Sequence, residues 1–141
     1  MKNSKKLFLI FLSVLIVAFV SCKKDSGGSI TTPTPTFKPS SLAGKWTSGS
    51  HTFTMGNDGK ITGISIDGIS IGDYTITDWD KDKDTEVPKY TVTINNQSSG
   101  GHTYDFAFTF TSGSNCIVTR TEQGQTPGTF TFTKEATPTT K

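Results

Sequence analysis

Between Ser41 and Lys134 the chain alternates apolar and polar positions with a period of two. Tyr90, Val92 and Ile94 alternate with Thr91 and Thr93, and Tyr104, Phe106, Phe108 and Phe110 alternate with Asp105, Ala107 and Thr109. Phe130 and Phe132 stand between Thr129, Thr131 and Thr133, and Phe53 and Met55 between Thr52 and Thr54. One face of each run is apolar and the other is mostly Thr, the signature of a half-buried antiparallel sheet. Turn signals separate the runs: Gly56-Asn57-Asp58-Gly59, Asp67-Gly68, Ser98 to Gly101, Ser112 to Asn115, and Gly124 to Gly128. Asp-Gly is a strong hairpin cue. The pattern predicts strands near 44–48, 50–55, 60–66, 69–78, 89–95, 103–111, 116–122 and 129–134, with no helical period.

Two runs change phase. Ile61 and Ile64 differ in parity around Gly63, and Ile71 and Tyr74 around Gly72. Glycine at a phase slip predicts a bulge or sharp bend, the device by which a small sheet curls and closes. The expected fold is all-β: a small antiparallel up-and-down barrel of about eight short strands. The large Phe106, Phe108, Phe110, Phe130 and Phe132 imply a mostly filled interior.

The first 40 residues follow other rules. Lys2, Lys5 and Lys6 precede Leu7–Val20, 14 residues whose only polar member is Ser13. A bilayer-spanning helix needs about 20 apolar residues, so this run fits the apolar region of a secretory signal peptide. Lys23–Ser40 is nearly devoid of apolar residues and is expected to be a disordered Thr/Pro/Ser/Gly tether, since it cannot offset its ordering entropy by burial. The expected organisation is therefore a signal peptide over 1–21, a tether over 22–40, the β domain over 41–134, and a short tail over 135–141.

Phe19-Val20-Ser21-Cys22, followed by Lys23-Lys24-Asp25, resembles the lipobox of bacterial lipoproteins, with Phe19 in place of the usual Leu. The resemblance implies that Cys22 is lipidated and becomes the first mature residue. The Ser-Cys-Lys-Lys-Asp run looks like that of Bacteroidota lipoproteins, which implies an outer-membrane lipoprotein of the cell envelope, facing either the periplasm or the surface. Several acyl chains anchor durably, at about 0.8 kcal/mol per buried methylene. With Cys22 acylated, Cys116 has no disulfide partner and reads as a small buried residue.

Within the domain, Leu42-Ala43-Gly44-Lys45-Trp46, Thr52-Phe53-Thr54-Met55, Asn57-Asp58-Gly59-Lys60 and Gly72-Asp73-Tyr74-Thr75-Ile76 resemble the small lipocalin-like domains of such lipoproteins. The resemblance implies a barrel-closing role for Trp46, with plain core packing as the alternative. It offers Arg120, the only Arg of the chain, as the partner of Trp46. The chain is shorter than lipocalins and lacks the helix that follows their barrel.

Composition narrows the function. The 14 basic residues lose three with the signal peptide, leaving 11 against 12 acidic ones. A nucleic-acid partner is therefore not expected, because such binding needs a basic face. His51 and His102 show no metal-ligand spacing, and no nucleophile elbow is present, so neither an enzyme nor a cofactor is expected. Asp78-Trp79-Asp80-Lys81-Asp82-Lys83-Asp84-Thr85-Glu86 alternates Asp like a calcium loop. Lys83 and Lys89 stand where an EF-hand needs Gly and Glu, however, and the run reads as a solvated hairpin loop. Trp79 within it is either a core cap or an exposed contact residue. Two functions remain: a membrane-tethered, non-catalytic binding module for a small apolar or amphipathic ligand, or a structural or protein-interaction accessory of the envelope with a filled barrel.

Overall fold

The computed structural model describes residues 32–137, so the expected signal peptide and Cys22 lie outside the described residues. The Thr-faced alternation produces nine strands: β1 (Gly44–Ser48), β2 (His51–Met55), β3 (Lys60–Ile66), β4 (Ile69–Ile71), β5 (Tyr74–Thr75), β6 (Tyr90–Ser99), β7 (His102–Phe110), β8 (Asn115–Glu122) and β9 (Gly128–Lys134). They form one antiparallel sheet in the order β4-β3-β2-β1-β9-β8-β7-β6, with β5 also paired to β3. Apart from β5, which skips β4 to pair with β3, each strand pairs with a sequence neighbour, and β1 also meets β9, the last strand. That long-range pair curls the meander into a nearly closed barrel. β4 and β6, the two ends of the sheet, lie side by side without a hydrogen-bonded ladder.

The phase slip at Gly63 is a bulge. Thr52 pairs with Ser65 but Thr54 with Thr62, so Gly63 and Ile64 together face Phe53. Gly63 takes φ +59°, which a side chain with a Cβ adopts at a cost. The slip at Gly72 is a bend. The strand expected over 69–78 is instead two pieces, β4 on Ile64–Ile66 and β5 on Lys60 and Ile61. The strand expected over 89–95 runs on to Ser99 through a second bulge. Ile94 pairs with Phe106 and Gln97 with Tyr104, and Asn96 sits at φ +56° with its N–H bonded to Asp105 Oδ1 at 2.8 Å. Asn tolerates that left-handed geometry better than most residues.

The core consists of the apolar parity of every strand. Phe53 lies at its centre, 1% exposed. It stacks on Trp46 (5.8 Å between centroids, 5° between planes) and meets Phe108, Phe110 and Phe132 at 5.0, 6.3 and 5.0 Å. Such clusters combine large apolar burial with favourable ring geometry, and they fill the barrel.

One end of the barrel is closed. Phe37 exchanges two backbone hydrogen bonds with Val87, and a 3₁₀ turn over Pro39–Leu42 follows, so the packed chain begins ahead of Ser41. The turn places fully buried Leu42 beneath Trp46, whose Nε1 donates to the Leu42 carbonyl at 2.9 Å. Helical structure, absent from the sequence pattern, appears twice among the described residues, as this turn and as α1 (Trp79–Asp82). No helix among the described residues is long and apolar enough to cross a membrane.

Candidate functional site

The expected hairpin loop over Asp78–Glu86 folds as the single turn of α1, entered through Asp78 at φ +61°. Its consequence is the burial of Trp79 to 4% exposure. The indole donates to the Asn57 carbonyl at 2.9 Å and meets Tyr90 edge-on. It also covers Gly59 so closely that a Cβ there would stand 2.4 Å from the indole Cγ. Trp79 is thus a core cap. Among the described residues no three His, Cys, Asp or Glu side chains converge as a metal site, in this loop or elsewhere.

Trp46 and Arg120 are not brought together. Arg120 is level with Gly128 on β9, whereas Trp46 is level with Lys134. Six residues of strand separate the two levels, about 20 Å at roughly 3.3 Å per residue. Trp46 belongs to the closed end. Arg120 belongs to the opposite end, where β6 to β9 extend past the β1–β2 hairpin.

At that end the inward face turns polar, and this mouth is the candidate site. Residues directly opposite on adjacent strands share a face. Arg120 lies opposite the fully buried Phe106, and Glu122 opposite Tyr104, so both side chains point inward. The Arg120 side chain is only 18% exposed. Its guanidinium lies over the Tyr104 ring, 5.8 Å from the centroid, a geometry that offsets part of the lost hydration. Nη1 donates to Asp67 Oδ2 on the β3–β4 turn, tying together residues 53 apart in the chain. Nε is buried and has no hydrogen-bond partner among the described residues.

His51 completes the rim. Its Nδ1 accepts the Asp67 backbone N–H at 3.0 Å, which leaves the ring proton on Nε2 in the neutral tautomer. Its ring meets Phe130 edge-on at 4.8 Å. Further out, His102 Nδ1 lies 2.7 Å from Glu122 Oε1. The sequence singled out Arg120 as a solitary Arg but gave no signal for Asp67, Tyr104 or Phe130 as its neighbours. That constellation requires the pairing of β7, β8 and β9 and the reach of the β3–β4 turn.

Elsewhere the chemistry is sparse. Cys116, fully buried opposite Phe110 and Phe132, has its thiol pushed up to about 12 by burial, which suits a packing residue rather than a nucleophile. On the outer surface Asn96, Thr103, Asp105, Thr121 and Gln123 line a shallow polar depression. Ile117 is the only large apolar side chain exposed among the described residues.

No protein-family model, curated protein or solved structure matches the chain.

Proposed function

We propose that the chain is a membrane-tethered, non-catalytic binding module of lipocalin-like design, anchored in the outer membrane through a lipid on Cys22, whose ligand site is the polar mouth of the barrel. The observation that carries this reading is Arg120. A solitary guanidinium is held largely desolvated over a Tyr ring, with an unpartnered Nε among the described residues. Buried unsatisfied donors are costly, and such groups concentrate where a ligand completes the hydrogen bonding. Tyr104, Phe130 and His51 supply the apolar and aromatic wall that small-molecule sites use. The packed core beneath restricts the ligand to the mouth, so it is small and amphipathic.

A second reading, a structural or protein-interaction accessory of the envelope, is favoured by the Phe53 cluster, which leaves the interior to packing. Aromatic NMR of the protein purified in nonionic detergent separates the two. Titration with six-carbon amphiphiles bearing acidic, neutral and basic head groups should move the Tyr104 and Phe130 resonances and leave Phe53 and Trp46 in place. If none of these amphiphiles moves the mouth resonances, the accessory reading stands instead.

A further inference from the structure

The outward parity of β7 and β8 builds a second concave surface. Asp105 lies opposite Thr121, and Thr103 and Gln123 follow two residues along on the same outer face. Strand geometry spaces these groups about 5 Å apart across the sheet and about 7 Å along it. On the β6 side the bulge between Ile94 and Gln97 brings in Asn96 at φ +56°. A bulge raises local twist and re-aims a side chain, and a non-glycine residue at positive φ is held there by its surroundings. What holds Asn96 is its backbone N–H, which donates to Asp105 Oδ1 at 2.8 Å. That bond also fixes the carboxylate and leaves Oδ2 as an acceptor. The five residues enclose a depression of about 340 Å³, within the size range of small-ligand sites.

We infer that this outer depression is a binding site for a neutral saccharide, whose hydroxyls are held by the Asp105 carboxylate, the Asn96 and Gln123 amides and the two Thr hydroxyls. The site stands apart from the mouth, because Tyr104 and Glu122 of the same strands point to the inner face. Its chemistry selects the ligand. No Lys, Arg or His lines it, so it offers an anion no countercharge. No aromatic or purely apolar residue lines it, so an apolar ligand gains little there. A single carboxylate is too few oxygen ligands for a calcium-like ion. The set that remains combines one acceptor-only carboxylate with two amides and two hydroxyls that both donate and accept. A sugar presents the matching set, adjacent hydroxyls that each donate and accept. The Thr methyl groups meet its C–H surface. Asp105 and Asn96 are already fixed by their mutual hydrogen bond, which lowers the ordering cost of binding.

The test is NMR titration of the protein purified in a nonionic detergent without sugar head groups. Maltotriose, mannotriose and chitotriose are the neutral probes and propylamine is the cationic one, each carried through the millimolar range. At least one trisaccharide should shift the Asn96 and Gln123 side-chain amides and the Thr121 methyl while leaving the Phe130 ring at the mouth in place. Asp105→Asn keeps an acceptor for the Asn96 N–H and removes the charge. It should weaken that saccharide by about tenfold, since hydrogen bonds to a charged group exceed neutral ones. Thr121→Val keeps the β-branched shape at an exposed strand position and removes one hydroxyl, and should weaken it by about threefold. Failure of all three saccharides to shift these groups overturns the assignment, as does equal saccharide affinity in wild type and both variants. Propylamine binding that is lost in Asp105→Asn, with no saccharide binding, overturns it in favour of a cation site. Saccharide shifts confined to Phe130 and Tyr104 overturn it in favour of the mouth. The outer site and the mouth thus stand or fall separately.

Discussion

Trp46 stacks on Phe53 with planes 5° apart while its Nε1 donates to Leu42, so a single side chain joins the barrel's aromatic centre to the strap that closes its end. Trp46→Ala removes both contacts and leaves a cavity, at a cost of about 3–5 kcal/mol. A domain of this size has about 5–10 kcal/mol to lose. Urea denaturation should show a severely lowered midpoint or a largely unfolded variant.

Trp79 is buried nearly as deeply and hydrogen-bonded to Asn57, so Trp79→Ala should cost a comparable amount, about 3 kcal/mol or more, despite its place in a charged segment. A midpoint shift equivalent to less than about 1 kcal/mol would mean that the indole does not cap the core.

Gly59 and Gly49 both have positive φ, +74° and +61°, but only Gly59 is covered. A Cβ at Gly49 meets nothing within 4 Å, whereas one at Gly59 meets the Trp79 ring. Gly49→Ala should therefore cost only the backbone strain, about 1 kcal/mol. Gly59→Ala adds displacement of the indole and should cost at least about twice as much. Thermal melts of the two variants give the comparison directly.

The Cys116 thiol should be inert to alkylating reagents at neutral pH in the folded protein and react on unfolding. Its folded value of about 12 lies above the ordinary 9.0, so the unfolded chain releases this proton first. The associated stability is fully present below pH 9.0 and is lost as pH rises toward 12. Cys116→Ala should flatten that alkaline limb, and a denaturation series between pH 8 and pH 11 measures it.

The proposed acylation of Cys22 predicts that Cys22→Ala releases the protein from the membrane fraction and abolishes the lipid mass on the N-terminal peptide. Membrane retention of the variant, with no lipid mass on the wild type, would remove the tether from the functional reading.

Most of the barrel's strands were legible because side-chain alternation is a local property. A period of two with Thr on one parity fixes which residues face inward, whatever the partners turn out to be. Gly63 was legible for the same reason, since the Ile61 to Ile64 phase change is written in apolar residues. The equivalent slip at Asn95 and Asn96 was not, because polar residues on both parities leave no trace of a change of face. Trp79 could not be assigned either: the alternating charges around it describe a solvated surface, and only the turn of α1 against Gly59 and Tyr90 sets the indole beneath that surface.

The sequence by itself determined most of the strands, their inward faces and an interior of packed Phe. The tertiary structure decided which strands closed the barrel and what met at its two ends. The β1–β9 pair, the Phe37–Val87 bridge and the Arg120–Asp67 contact join residues far apart in the chain. The loop-closure cost of each is met only by contacts that exist once the whole barrel has formed. Arg120 looked like a partner for Trp46 as long as only residue types were considered. Strand register, which sums over every hairpin between them, set the two at opposite ends and gave the mouth its guanidinium.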